Sequence, residues 1–146
     1  MDTLKTVSTV ERILLLREVP IFEDLSPEDL GQIAEIAREQ VFSSGATLCL
    51  AGEEGREMFI IVSGQVEVQQ GAGAGARVLA TRAVGEIVGE MAIIESVPRV
   101  ATLRALGELR VLVIDAESFN AILRDRPEVS ISVLRTVSRR LRELST

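Results

Sequence analysis

The spacing of hydrophobic residues changes twice along the chain. Up to about residue 39, apolar side chains recur at intervals of three and four, which is typical of amphipathic helices. From Gln40 onward they form short runs punctuated by glycine, which predicts strands. The runs are Ala46–Leu50, Glu57–Val62, Gln65–Gln69, Arg77–Val84, Val100–Leu106 and Arg110–Ile114. After Asp115 the helical spacing returns, so the pattern predicts helices at both ends of a strand-rich centre.

Certain residues favour the first turn of a helix, and they mark where helices should begin. Ser26 can cap a helix through its hydroxyl, and Pro27 fits the first helical position. Asp115 and Pro127 mark two further starts after the strands, the last helix running to about Leu144. We therefore expect at least three helices outside the strand-rich centre.

An apolar stripe runs along the last predicted helix, where Leu134, Val137, Leu141 and Leu144 follow a 3-4-3 spacing. Two heptads are too few to identify a coiled coil. We expect the stripe to pack against the domain's own sheet, and a homodimer through this C-terminal helix is the alternative. The arginines that flank the stripe, Arg140 among them, are interpreted as a solvated helix face.

The composition limits the classes of function. At 146 residues the chain suits a single domain, and its net charge of -6 argues against contact with nucleic acid or anionic membranes. It has no His and only one cysteine, Cys49, which excludes disulfides, Cys/His metal sites and His-dependent nucleophiles. No apolar run approaches the roughly 20 residues that cross a bilayer, and the N-terminus lacks a signal-like core. We expect a soluble, cytoplasmic protein without metal or cofactor.

The glycine-rich segment 71–76, Gly-Ala-Gly-Ala-Gly-Ala, superficially resembles a loop that binds phosphate. It opens no predicted helix and lacks the lysine of such loops. We interpret it as a flexible hairpin connection between two strands.

The segment 85–102, between two strand patterns, has the chemistry of a small anion site. Gly89 allows a close backbone approach, and a short helix beginning there would aim free N–H groups at an anion. Arg99, after the rigid Pro98, adds a full positive charge and a forked donor suited to phosphate oxygens. Glu90 fits such a site if it accepts a hydrogen bond from another part of the ligand, such as a ribose hydroxyl.

A purely structural interpretation of the same residues stays open at this point. Glu90 could merely cap a helix. Arg99 could pair with Glu95, with Glu108 or with Glu90 itself. Residue types alone favour neither interpretation.

Two short motifs bear on this choice: Gly89-Glu90-Met91-Ala92, and the segment 98–102, Pro-Arg-Val-Ala-Thr. Together they closely resemble the phosphate-binding cassette of the cyclic-nucleotide-binding domain family, found in catabolite activators and in the regulatory subunits of protein kinase A. The likeness extends over nearly the whole chain, including the segments 19–26 and 58–64.

The resemblance implies a mostly β fold, an eight-stranded jelly-roll β-roll with N-terminal helices and two C-terminal helices. The chain would then be one domain over 1–146. Its N-terminal helices would occupy 1–39, the roll 40–115 with the cassette at 85–102, and the C-terminal helices 116–146.

The resemblance also implies roles for individual residues. Gly89 and Glu90 would hold the ribose 2′-hydroxyl, while Arg99 and backbone amides would bind the cyclic phosphate. The residues implied at the site are Gly89, Glu90, Met91, Ala92, Arg99 and Val100, with Val68, Leu79 and Arg140 around base and sugar. Val88 stands where the family usually has Phe, which we expect to affect packing. Position 100 is Val, where several cGMP-selective relatives have Thr, so cAMP is favoured over cGMP.

We therefore expect a regulatory sensor domain rather than an enzyme, since no activated nucleophile accompanies the carboxylates. Its C-terminal helices would relay ligand binding to an effector domain or protein beyond the C-terminus. Two alternatives are a ligand-blind β-roll used for interaction or dimerisation, and the sensory half of a transcription regulator of the catabolite-activator type.

Overall fold

The computed structural model describes residues 7–144, apart from residues 72, 91–92 and 94–95. Two helices precede a curved sheet, and two helices follow it. In chain order the elements are α1 (Thr9–Glu18), a 3₁₀ turn (Pro20–Phe22), α2 (Pro27–Ile36), β1 (Arg38–Phe42), β2 (Thr47–Cys49), β3 (Glu57–Gln70), a 3₁₀ turn (Gly73–Gly75), β4 (Arg77–Arg82), β5 (Ile87–Val88), β6 (Thr102–Asp115), α3 (Ala116–Asp125) and α4 (Pro127–Leu144).

The helix starts predicted from the sequence are confirmed. The Ser26 hydroxyl accepts a hydrogen bond from the Asp29 amide at 3.1 Å, and Pro27 is the first residue of α2. Asp115 caps α3 by accepting from the Ser118 amide at 2.8 Å. These caps satisfy amides that a first helical turn leaves without partners, so they fix where each helix begins.

One antiparallel sheet contains all the strands of the described residues, and two long strands form its centre. β3 and β6 pair along most of their length. Toward one end of this pair, β1 adds to β6 and β5 adds to β3. Toward the other end, β2 adds to β6 and β4 adds to β3. Each half of the sheet is therefore four strands wide.

The described residues form six strands, where the resemblance implied eight. Two pairs of predicted runs are each joined into one long strand, because β3 and β6 continue through register shifts around Ser63. Gly64 makes the shift in β3 feasible, since its φ is +91° and a Cβ there would collide with the Glu108 carbonyl. β1 and β5 were missed: β1 is rich in polar residues, and β5 has only two residues.

Alternate residues of β3 face two different apolar clusters. Met58 and Ile60 pack with the helices, together with Leu16, Phe22 and Phe119. Phe59 and Ile61 point into the roll, where they pack with side chains of β6 such as Leu103 and Val111. This two-sided burial explains why the segment 58–61 is continuously apolar.

Segment 71–76 connects β3 to β4, which pair as an antiparallel hairpin with Gln70 opposite Arg77. The predicted hairpin connection is thus confirmed. No helix of the described residues is long and apolar enough to span a membrane.

The apolar stripe of α4 does not pack on the sheet, so that expectation is wrong. Leu134, Leu141 and Leu144 are 66%, 60% and 83% exposed. The helix instead packs through Val129 and Thr136, which are fully buried. The Thr136 hydroxyl donates to Asp24, whose Oδ2 lies 2.9 Å away.

The arginine face of α4 is also not merely solvated. The Arg139 guanidinium lies 2.9 Å from Asp24 and 2.6 Å from Glu23. Arg140 lies 3.9 Å from Glu23. These ion pairs attach α4 to the turn between the first two helices.

Candidate functional site

The turn after β5 and the segment before β6 bring the predicted site together. Gly89 follows β5 directly with a φ of +82°, a backbone conformation that favours glycine. Glu90 comes next, in helical conformation. Arg99 lies beside them although it is ten residues further on, because its side chain donates to the Gly89 carbonyl at 3.0 Å.

Arg99 is held by its backbone as well as its side chain. Its amide donates to the Glu53 carbonyl at 2.7 Å, and its carbonyl accepts from the Gly52 amide at 2.8 Å. The guanidinium donates to the Glu57 carbonyl at 2.6 Å and lies 5.8 Å from the centre of the Phe59 ring. Arg99 is 8% exposed, so the chain fixes a nearly buried cation at this point.

The structural alternatives for Arg99 find no support among the described residues. Both side-chain hydrogen bonds in which Arg99 takes part are accepted by backbone carbonyl groups, not by Glu90 or Glu108. Its Nε atom is buried and has no partner within the described part of the chain. Glu95 lies outside the described residues. The Arg99 guanidinium therefore pairs with no carboxylate of the described residues, and its Nε–H remains an unused donor.

Glu90 has a buried acceptor atom without a partner, which complements the unused donor of Arg99. Its Oε2 atom is buried and accepts no hydrogen bond from any residue that the structure describes. Burial raises the pKa of the Glu90 carboxyl, while its own backbone amide and the positive charges of Arg82 and Arg99 act in the opposite direction. A buried carboxylate oxygen that accepts no hydrogen bond costs free energy. A ligand that donates from a hydroxyl or amine group would provide the missing hydrogen bond.

These groups line one cavity of about 150 Å³ between the cassette and the strands. Gly89, Glu90, Arg99, Val100 and Val68 were expected at the site, and the structure brings all five to this cavity. The full set of lining residues is Val68, Arg82, Ile87, Val88, Gly89, Glu90, Arg99, Val100, Ala101 and Leu103. The arrangement places an acceptor and a cation at the wall of an otherwise largely apolar cavity.

Two of the predicted residues that the structure describes, Leu79 and Arg140, are not among that lining. Leu79 is 52% exposed on β4. Arg140 lies on α4, facing Glu23 across an ion pair. Met91 and Ala92 lie outside the described residues. Val88, which replaces the usual Phe, is 4% exposed and opposes Phe59 across the strands.

Sequence reasoning missed Arg82, a charged residue of the cavity. It is the last residue of β4 and lies opposite Val66 of β3. Directly opposed residues of antiparallel strands point to the same face, and Val66 is fully buried inside the roll. The alternation Val66-Glu67-Val68 already marked the inward face, but only the hairpin register shows that Arg82 shares it.

Comparisons with known proteins give the family and the fold that this chain is similar to. Residues 39–126 match the family model of the cyclic nucleotide-binding domain. The chain is 30% identical over 129 residues to a CRP-like cAMP-activated global transcriptional regulator of Mycobacterium tuberculosis, covering 88% of this chain and 58% of that protein. It is 34% identical over 113 residues to a cAMP-dependent protein kinase regulatory subunit of Mycosarcoma maydis, covering 74% of this chain and 22% of that one.

A solved structure shares the fold at similar identity. The N-terminal domain of a transcriptional regulator from Streptomyces coelicolor superposes with a TM-score of 0.80 at 30% identity, covering 89% of this chain and 94% of that one. The chain spans 58% of the Mycobacterium relative and less of the kinase subunit. The fold is thus the mostly β roll with flanking helices that the motifs implied. On the family match, the cassette geometry and this superposition, the chain belongs to the cyclic nucleotide-binding domain family.

Proposed function

We propose that this domain is a regulatory sensor that binds a cyclic nucleotide, cAMP in preference to cGMP, and catalyses no reaction. The observation that carries the proposal is a pair of buried polar atoms, Glu90 Oε2 and Arg99 Nε, which belong to two residues that line one cavity and have no partner among the described residues. One is an acceptor and the other a donor on a cation. A ligand with a hydroxyl beside a singly charged phosphodiester would satisfy both.

Each part of such a ligand has a matching group. Arg99 would pair with the cyclic phosphate, and Glu90 would accept from the ribose 2′-hydroxyl. The apolar lining, including Val68 and Leu103, would contact sugar and base. Arg99 hydrogen-bonds to carbonyl groups rather than to a carboxylate, so an incoming phosphate would meet no competing acid at that contact.

The absence of catalysis is part of the same proposal. The described lining residues include no hydroxyl or thiol side chain that a carboxylate base could activate. Both relatives named above have regulatory names. We expect purified domain to leave cAMP intact during prolonged incubation, and hydrolysis to 5′-AMP would contradict this.

The preference for cAMP rests on position 100. Val100 is 65% exposed at the cavity and has no hydroxyl to donate to a guanine. We expect Val100→Thr to strengthen cGMP binding while leaving cAMP binding nearly unchanged, measured by calorimetric titration. A change of about 1 kcal/mol, or roughly fivefold, is expected for one neutral hydrogen bond. Equal effects on both nucleotides would refute this role.

Signal output would use α4. Polar contacts with Glu23 and Asp24 help to hold this helix on the domain, and a ligand-driven shift can exchange them for others. The chain spans 58% of the Mycobacterium regulator, so an effector domain or a separate protein beyond α4 belongs to this proposal.

The deciding experiment is calorimetric titration of the domain with cAMP, cGMP and linear 5′-AMP. Arg99→Ala removes a charge-assisted contact of about 1.5–3 kcal/mol, so we expect binding to weaken by roughly tenfold to more than a hundredfold. Because Arg99 also supports the backbone at Gly89, the variant's thermal unfolding is recorded in parallel.

Arg56→Ala is the matched control, since the Arg56 side chain is 78% exposed and pairs only loosely with Glu54 at 3.4 Å. It should bind as the unchanged domain does. Absence of heat with either cyclic nucleotide would favour the ligand-blind interaction roll. Unchanged affinity in a folded Arg99→Ala variant would mean that the phosphate site lies elsewhere.

A further inference from the structure

The charged side chains at the cavity are not explained by phosphate binding alone. Of the described lining residues, Glu90, Arg99 and Arg82 carry charge, and the other lining side chains are apolar. Arg82 reaches the cavity from the end of β4, whereas Arg99 lies in the segment between β5 and β6. The cavity thus has two cations on separate elements and one carboxylate.

The local chain orients Arg82 at the cavity rim. Its guanidinium lies 3.6 Å from Glu86, and its side chain is 47% exposed. Glu86 in turn accepts from the Ala83 amide at 3.0 Å, so the turn between β4 and β5 holds this carboxylate in place. The contact with Glu86 leaves donors of the forked guanidinium available, since that group has five N–H bonds.

Arg99 is less available than Arg82 for an interaction with Glu90. Two of its nitrogens already donate to the carbonyls of Gly89 and Glu57. A carboxylate buried in an apolar wall tends to take up a proton, unless positive charge stabilises the ionised form. Arg82 and Arg99 are the two cations that line this cavity together with Glu90 among the described residues, and Glu86 is the acid that pairs with Arg82.

We propose that Arg82 is a positioning residue of the site, whose charge keeps the partly buried Glu90 carboxylate ionised and ready to accept a ligand hydroxyl. The part of this inference that concerns the ligand rests on the proposed function. The part that concerns Glu90 holds for the free domain and can be tested without any nucleotide.

The ligand-free test follows the Glu90 side-chain carboxyl carbon by NMR during a pH titration. In Arg82→Ala the pKa of Glu90 should rise relative to the unchanged domain, because an attractive charge is lost. In Arg82→Lys the pKa of Glu90 should stay close to its value in the unchanged domain, because the positive charge is kept. Arg77→Ala is the matched control, since Arg77 is an exposed residue at the other end of the same strand, and it should change nothing.

The ligand test is a double-mutant cycle with cAMP at neutral pH. Arg82→Ala should weaken binding about two- to fivefold, as expected for a half-exposed charge pair, and the affinity should begin to fall at a higher pH than in the unchanged domain. In the Glu90→Gln background the same Arg82→Ala change should have almost no effect.

The outcomes separate the two proposals. An unchanged pKa of Glu90 in Arg82→Ala overturns the inference, whether or not nucleotide binds. A weakening by Arg82→Ala that persists in Glu90→Gln also overturns it, because Arg82 would then contact the ligand directly. A shifted pKa of Glu90 in a domain that binds no cyclic nucleotide would sustain the electrostatic role of Arg82 and refute the proposed function.

Discussion

Single residues at the cassette depend on contacts with partners far away in the sequence. Arg99 is the clearest case, because two of its nitrogens donate to carbonyls of two different segments, at Gly89 and Glu57. Gly89 completes the arrangement, since its left-handed backbone brings its carbonyl to Arg99 and leaves room for the guanidinium. A side chain at position 89 would occupy the space that Nη1 of Arg99 uses.

This predicts the effect of Gly89→Ala. A Cβ there would collide with Arg99, so the cation must shift and nucleotide affinity should fall roughly tenfold or more, measured by titration with cAMP. The left-handed backbone adds a strain of about 1–2 kcal/mol, measurable by chemical denaturation.

Gly107→Ala is the control, because Gly107 also has a positive φ, of 68°, but a Cβ there meets no atom within 4 Å. The Gly107→Ala variant should show the same loss of stability in chemical denaturation, without the loss of cAMP affinity. If both variants bind cAMP alike, the close contact of Gly89 with Arg99 does not matter for the ligand.

At the scale of elements, polar contacts fasten α4 in place. Asp24 accepts from the Thr136 hydroxyl and from Arg139, both at 2.9 Å. The hydrogen bond from Thr136, followed by that from Arg139, lowers the pKa of Asp24 below its ordinary value of 3.8. A carboxyl group with a lowered pKa in the folded state stabilises the fold above the unfolded pKa, and this contribution is lost as the pH falls through the folded value.

We therefore predict a pH-dependent effect of Asp24→Asn. The variant should melt below the unchanged domain at neutral pH, and the difference in Tm should shrink as the pH falls below the ordinary aspartate range, followed by thermal unfolding at a series of pH values. Asp125→Asn, at an exposed position of α3, should show no such convergence. A constant difference across the whole series would mean that the Asp24 charge does not hold α4.

At the scale of the whole molecule, α4 presents an exposed apolar face. Ile131, Leu134 and Leu144 present 47%, 66% and 83% of their area. Complete burial of a fully exposed side chain of this kind gains about 1.5–3 kcal/mol, and these partly exposed side chains would gain a fraction of that each by packing against a second copy of the helix. We predict a homodimer through this C-terminal helix.

Analytical ultracentrifugation over a range of concentrations would measure it. Leu134→Glu should shift the equilibrium to monomer without changing the melting of the monomer, since Leu134 contributes little to the domain's own core. Glu117→Ala, a change in a first-turn residue of another helix, should leave assembly unaltered. Monomer at every concentration would exclude this interface.

The sequence by itself determined the helix starts, the strand-rich centre and the identity of the family. Ser26 and Asp115 cap helices through contacts only three residues long, and a cassette of adjacent residues keeps its spacing in any fold. Gly89, Glu90 and Arg99 could be proposed as site residues from the sequence for that reason.

Only the tertiary structure decided what depends on distant pairings. The joining of four runs into β3 and β6 follows from their pairing with each other, and the recognition of β1 follows from its pairing with β6. The exposure of the α4 stripe and the place of Arg82 depend on which face each element presents to its neighbours. Local spacing gives the faces of an element, but packing decides which face is buried.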